Sequence, residues 1–424
     1  MSTRLFRARI WLTSAMWAPV LAANLAAIAL GLMLPLVDEH VADEPLLPIH
    51  LPAAEQILGA VAGGMITFTS IVFSAVLVAA QIQTSSYSPR VAARLRRDPV
   101  LAAALALSTA TASYSLFALA ALGRQADRLD RDVAPALTIG MGLLLTFATF
   151  CGFVALVQRA FDLTQIGGIL RGLMRQADRV MRDVHPEAPA AQSHVELPGG
   201  ETRSVPHDGQ PGVIAAVDRA ALLRLADQTG AFVEVLPLIG RYVVRGTPVL
   251  RLHGGHSGAE PRIARRVLVL ARQRTLDQDP AFALRMFVDI AIRGLSPAIN
   301  DPTTAVQAID RIETLLLGLH GRRLGPFAVE DPGGNPRGSV PAPTWDEYVD
   351  LALTEIRHYG AGSPQVARRL RALYASLLAV ADETQRPRIE LEEELLDEAL
   401  GAGVRDARMR EILSRPDALG LGGA

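Results

Sequence analysis

Four stretches of the chain are too long, too apolar and too free of charge for an ordinary soluble protein. They run from about Trp11 to Val37, Ile57 to Gln83, Val100 to Gly123 and Val133 to Val157, and none contains Asp, Glu, Lys, Arg or His. The hydrocarbon core of a bilayer, about 30 Å thick, is crossed by roughly 20 apolar residues in helical conformation. Helix is the state open to these stretches, because backbone in lipid must satisfy its own N–H and C=O groups within the segment. Residues 1–160 therefore predict a transmembrane domain of four helices. The rest of the chain has the charge density of a soluble protein. The fold expected is an α-helical polytopic membrane protein followed by a cytoplasmic α+β region.

Arginine placement orients the segments, since basic residues concentrate on the cytoplasmic side. Arg4, Arg7 and Arg9 precede the first segment, and the loop after it is acidic (Asp38, Glu39, Asp43, Glu44, Glu55). The second loop carries Arg90, Arg94, Arg96 and Arg97; the third is balanced; Arg159, Arg171, Arg175, Arg179 and Arg182 follow the fourth segment. Both termini are expected in the cytoplasm. The first segment exceeds a signal-peptide core and is read as a retained anchor.

The second segment has a polar face. Gly63, Thr67, Ser70, Ser74, Gln81, Ser85 and Ser88 recur at spacings of three, four or seven, which places them on one helical stripe. Ser108, Thr111 and Ser115 form a shorter stripe on the third. Small and hydroxyl residues let membrane helices approach and bond across the contact. The same residues suit a helix that lines a water-filled path, and the two readings stand side by side. Ionisable groups are absent from all four cores, whereas coupled pumps and proton relays place them there. A channel, scaffold or sensor fits better. Cys151, the single cysteine, is expected to be a small buried apolar residue.

Beyond the membrane domain, residues 161–194 read as a connecting amphipathic helix and linker, and 195–254 as a small β-rich module. Residues 255–424 read as a mainly helical cytoplasmic domain, with Arg262 to Gln273 as helix and Pro326 to Pro343 as a hairpin. Asp279-Pro280 and Asp301-Pro302 are N-cap and first-turn pairs; Thr344 and Ser363 also look like caps. Arg293, Ser296, Asn300, Asp301, Thr303 and Thr304 cluster around the second of these starts. They form either a capped helix corner or a ligand or interface loop at a helix N-terminus suited to an anion. The acidic run from Glu390 to Glu398 reads as a solvated face.

Exclusions are firm. The chain has no lysine, so no Schiff base, P-loop lysine or biotinyl or lipoyl carrier is open to it. Its formal net charge of −1 offers no electrostatic footprint for nucleic acid. His253 and His256, in a glycine loop without nearby cysteines, are a weak metal signal, and no metal or cofactor is expected. No catalytic signature is present, and an enzyme is not expected.

Three stretches resemble a known family. They are Ser70-Ile71-Val72-Phe73-Ser74 through Ser88-Pro89-Arg90, Asp289 through Ala305, and Val340-Pro341-Ala342-Pro343-Thr344-Trp345 with Tyr359-Gly360-Ala361-Gly362-Ser363-Pro364. They are similar to the bacterial predicted membrane proteins grouped as domain-of-unknown-function family 2254. The resemblance covers nearly the whole chain. It implies a bacterial inner-membrane protein with four segments, and it implies no particular activity or substrate. Two functions are expected: a homo-oligomeric channel or pore regulated by its cytoplasmic region, or a membrane-anchored sensor or scaffold that binds a small ligand or a protein. The bilayer is the partner common to both.

Overall fold

The computed structural model describes residues 17–41, 50–86, 98–126, 136–187, 195–255, 266–404 and 406–421. It divides into two compact units, one drawn from residues 8–168 and the other continuing from Ile169.

The membrane unit holds α1 (Trp17–Val41), α2 (Leu51–Ser86), α3 (Pro99–Ala126) and α4 (Ala136–Thr164). Each is long and apolar enough to cross a bilayer. The start of the first expected segment, residues 11–16, lies outside the described residues. The helices overrun the apolar runs that announce them, so Asp38 belongs to the last turn of α1 and Glu55 to the second turn of α2 rather than to a loop. Helix α3 is the centre of the unit and packs against α1, α2 and α4. Its sequence explains why. Ala104, Ala106, Ala110, Ala112, Ala118 and Ala121 are all buried, and small side chains let neighbours come close where no hydrophobic effect drives association. At the closest approach a Cβ on Gly31 of α1 would lie 2.8 Å from the Tyr114 carbonyl oxygen of α3. Much of the outer surface is apolar, with Leu21, Met33, Phe73, Phe147 and Phe150 exposed as lipid-facing residues are. Cys151 is exposed on α4, not buried as its residue type suggested.

Helix α5 (Ile166–Val184) follows. The second unit then interleaves two sheets with helices. A five-stranded sheet has the order β1 (Thr202–Pro206), β5 (Pro248–His253), β3 (Phe232–Val235), β8 (Pro336–Val340), β7 (Phe327–Glu330). A three-stranded sheet has the order β4 (Tyr242–Val243), β2 (Gly212–Val217), β6 (Leu268–Ala271). All pairs are antiparallel except β3 with β8. Helix α6 (Arg219–Thr229) packs on β3, β7 and β8. The sheets thus reach beyond residues 195–254. The 326–343 hairpin supplies two strands, and β6 arises from the stretch expected to be helix. Val267, Leu268 and Val269 are each buried, and a short continuous apolar run has no periodicity to separate strand from helix. Pairing with β2 decides it.

Among the described residues the unit continues with α7 (Pro280–Gly294), α8 (Pro302–Leu317), α9 (Trp345–Gly360), α10 (Pro364–Val380), α11 (Arg386–Gly403) and the short α12 (Ala407–Leu413). Asp279 and Asp301 cap α7 and α8 by accepting from the N–H groups of Phe282 and Thr304, with proline at the first turn. Thr344 and Glu347 form a reciprocal capping box at α9. Ser363 makes no side-chain cap at α10, contrary to its position in the sequence. The acidic run on α11 is not uniformly solvated either. Glu392 is fully buried between Arg357 of α9 and Arg388.

Candidate membrane face and a cleft in the second unit

In the membrane unit the hydroxyl groups divide into two sets. Those of α3 face inward. Thr111 and Thr149 Oγ1 atoms lie 2.8 Å apart across the α3–α4 contact. Ser113 donates to Asn24 Oδ1 at 2.7 Å, and Asn24 Nδ2 donates to Thr109 Oγ1 at 2.8 Å, which ties α1 to α3. Ser108, Thr111 and Ser115 are fully buried. This stripe is helix packing, one of the two uses a hydroxyl stripe can have.

The α2 set faces outward. Thr67, Ser70, Ser74 and Gln81 are exposed, and no side-chain bond from them reaches another helix among the described residues. Thr67, Ser70 and Ser74 return their hydroxyl protons to the carbonyls of Gly63, Ile66 and Ser70, one turn back on the same helix. A Cβ on Gly59, Gly63 or Gly64 would meet nothing within 4 Å. Among the described residues, the stripe is therefore not a contact within the chain. Ser85 belongs to the last turn of α2, its side chain outside the described set, and Ser88 lies outside the described residues.

Two carboxylates join the helix ends. Asp38 of α1 is buried and caps α4: it accepts from the Leu137 N–H at 3.1 Å, the Thr138 N–H at 2.9 Å and the Thr138 hydroxyl at 2.8 Å. Tyr114 of α3 donates to the Thr138 carbonyl at 2.7 Å, so three helices meet at one residue. At the far ends of α3 and α4, Asp98 caps α3 through Val100 and Leu101 and pairs with Arg159 of α4 at 2.7 Å. Asp38 and Asp98 thus both serve helix termini.

In the second unit, the six residues expected as a ligand loop are brought together but turned on one another. Asp301 Oδ1 accepts from the Thr304 N–H at 3.0 Å, and its own N–H donates to the Gly294 carbonyl at 2.7 Å. The Ser296 hydroxyl donates to the Arg293 carbonyl at 2.7 Å, and Asn300 takes a left-handed φ of 48° to complete the corner. Gln365 reaches Thr303 at 3.5 Å. The N-terminus of α8 already holds an anion, the Asp301 carboxylate. His253 is bound by Glu234 at 2.8 Å and faces the Pro198 carbonyl; His256 lies outside the described residues. No cluster of three or more metal-ligating side chains occurs among the described residues.

A concave site lies elsewhere, among residues that the sequence marked as structural rather than as a site. A cleft of about 220 Å³ opens between the end of α5 (Asp183, Val184), the start of α6 (Arg219), Leu238 and Ile239, the 277–280 turn, and the wall from Val340 to Pro343. Phe327 lies under the Arg219 guanidinium, 5.0 Å from ring centre. Asp279 is held by Arg274, while burial pushes its carboxyl above the usual range. Nearby, His185 Nδ1 lies 2.9 Å from the Arg323 carbonyl and its Nε2 2.8 Å from the Tyr348 hydroxyl. Burial lowers the imidazole's pKa, and the two contacts fit a neutral ring that donates from Nδ1 and accepts from the tyrosine.

Comparison with known proteins adds the lineage. The model of a family described as predicted membrane protein (DUF2254) matches residues 13–376. The chain belongs to that family. Two uncharacterised relatives, from Mycobacterium bovis and Mycobacterium tuberculosis H37Rv, are each 29% identical over 396 residues, which covers 86% of this chain and 74% of theirs. A third, from another M. tuberculosis strain, is 28% identical over the same length. No solved structure matches the chain.

Proposed function

We propose that this DUF2254 protein is a homo-oligomeric conduit of the bacterial inner membrane, with the α2 faces gathered about a shared axis and the soluble unit, in the cytoplasm with both termini, regulating it. One observation carries the reading. Thr67, Ser70 and Ser74 are the exposed hydroxyl side chains of the membrane unit among the described residues, while the hydroxyls of α3 are covered. A helix face that leaves polar groups outside its own bundle is served by a second copy or by water, and less well by hydrocarbon. The protein's role is non-catalytic in this reading.

The test combines proximity with flux. In a Cys151→Ser background, Thr67→Cys and Ser74→Cys should give disulfide-linked dimers in membranes, whereas a cysteine at Phe147, on the apolar face of α4, should not. Purified protein in liposomes should pass ions or small solutes, and Ser70→Leu or Ser74→Leu should change that flux without loss of the oligomer. A verified oligomer that passes neither overturns the conduit.

The cleft favours a second reading, a membrane-anchored sensor without a pore. It predicts saturable ligand binding, weakened by Asp277→Asn or Arg219→Gln, in a protein that shows no flux.

A further inference from the structure

Helix α5 is two-sided. Ile169, Leu170, Leu173, Ala177, Val180 and Met181 are buried on one face. On the other, Arg171, Arg175, Arg179 and Arg182 follow at spacings of four, four and three and are all exposed. Arg182 is engaged by Asp178 one turn back, at 2.7 Å. Arg171, Arg175 and Arg179 have no hydrogen-bond or ion-pair partner among the described residues. Three unneutralised guanidiniums in a row form a ladder for something anionic, and the guanidinium fork matches phosphate oxygens two at a time.

Chain connectivity indicates which anion is near. Helix α4 ends at Thr164 and α5 begins at Ile166. Along the helix Arg171 lies about 8 Å beyond that start, and Arg179 about 20 Å. Tethered at one end to a membrane-spanning helix, the ladder has the headgroup layer as its nearest dense source of phosphate, whose anionic lipids attract juxtamembrane arginines.

We propose that Arg171, Arg175 and Arg179 bind the phosphate groups of anionic phospholipids, so that α5 lies along the membrane surface with its apolar face turned to protein. This does not depend on the conduit reading, since it concerns another helix and another partner. Each arginine at the surface strengthens binding by about fivefold, and the three together by about a hundredfold. A helix projecting away from the membrane would show a different pattern. Only Arg171 would then matter, because Arg179 would lie beyond the roughly 8 Å over which physiological salt screens charge.

The experiment is native mass spectrometry of the full chain in neutral detergent. Phosphatidylglycerol and phosphatidylcholine of matched acyl chains are titrated, with glycerol phosphate as the chain-free anion. The expected result is preferential retention of phosphatidylglycerol. The Arg171→Gln/Arg175→Gln/Arg179→Gln variant should weaken that retention about a hundredfold, and each single variant about fivefold. An Arg203→Gln/Arg408→Gln/Arg410→Gln variant removes the same charge from exposed positions elsewhere and should leave it unchanged. Thermal unfolding of the α5 variant should match the parent, which separates lost binding from lost fold. Equal retention of the two lipids overturns the proposal. So does phosphatidylglycerol binding that survives the triple variant, or falls equally in the control. Glycerol phosphate binding as tightly as the lipid shows a soluble anion site instead, and losses confined to Arg171 refute the surface-lying helix.

Discussion

Replacing Asp38 with alanine should loosen the membrane unit more than any other single polar deletion in it. The carboxylate accepts three hydrogen bonds from the first turn of α4, two from backbone N–H groups and one from the Thr138 hydroxyl. Interhelical hydrogen bonds in membrane proteins average about 0.6 kcal/mol and reach about 1.7. Bonds to a charged acceptor lie at the upper end, and a carboxylate at a helix N-terminus gains further from the dipole. Three such bonds give about 3 kcal/mol. A unit of this size moves by roughly 2–4 °C per kcal/mol, so the helical signal of Asp38→Ala in detergent should melt about 6–12 °C lower. Asp38→Asn should recover little, because an amide NH₂ would face at least one N–H donor. Thr138→Val removes one of the three bonds, and the double variant Asp38→Ala/Thr138→Val should fall short of additivity by about 1 kcal/mol. A shift below about 2 °C for Asp38→Ala, or strict additivity in the cycle, would refute the trans-cap and with it the junction of α1, α3 and α4.

Other expectations concern the second unit and the helix crossing. A Cβ at Gly338 would lie 2.4 Å from the Val233 carbonyl oxygen, so Gly338→Ala should cost about 2–3 kcal/mol by denaturant titration, whereas Gly362→Ala, with nothing within 4 Å, should be near neutral. Glu392→Ala strands Arg357, leaves Arg388 only its Asp350 partner and should cost about 3 kcal/mol, while Glu390→Ala, at an exposed pair, should change stability by less than about 0.5. Gly31→Leu should separate α1 from α3 and lower the melting temperature of the membrane unit, because backbone of α3 stands where the side chain would go. For His185 the folded pKa is depressed below the ordinary imidazole value of 6.5. Protonation therefore favours the unfolded chain, and stability should hold above pH 6.5 and fall as the pH drops through it. His185→Gln should flatten that part of the profile, and a profile unchanged by the substitution would count against a buried neutral ring.

The sequence made the membrane class legible because lipid imposes a length and a polarity that few soluble helices meet. Capping was equally plain at Asp279-Pro280, Asp301-Pro302 and Thr344, where the donor and acceptor are three residues apart. What local pattern did not reveal depends on partners far along the chain. Asp38 looked like a loop residue because the helix end it caps begins about 100 positions later. Glu392 looked like one more solvated carboxylate until α9 and α10 enclosed it. Residues 268–271 had no period to read, and only the pairing with β2 makes them a strand. The α2 stripe was visible as a stripe, but which way it faced depended on where α3 packed. The cleft draws on six separate segments, and the motifs among them, Asp279-Pro280 and Val340 to Pro343, mark a helix cap and a family resemblance rather than a site.

The parallel pairing of β3 with β8 sets an order of events during synthesis. Val233 waits for Gly338, 105 positions downstream by their numbers, before its strand is covered on that side. At about 5–20 residues per second, translation leaves this edge open for roughly 5–20 s. The edge belongs to a nascent chain already tethered to the membrane by its first four helices, which holds copies made on neighbouring ribosomes close together. Until the hairpin arrives, the chain must avoid strand exchange with its neighbours, and variants that delay or deform the 327–340 hairpin should show their damage first as aggregation at the membrane during expression rather than as instability of protein already folded.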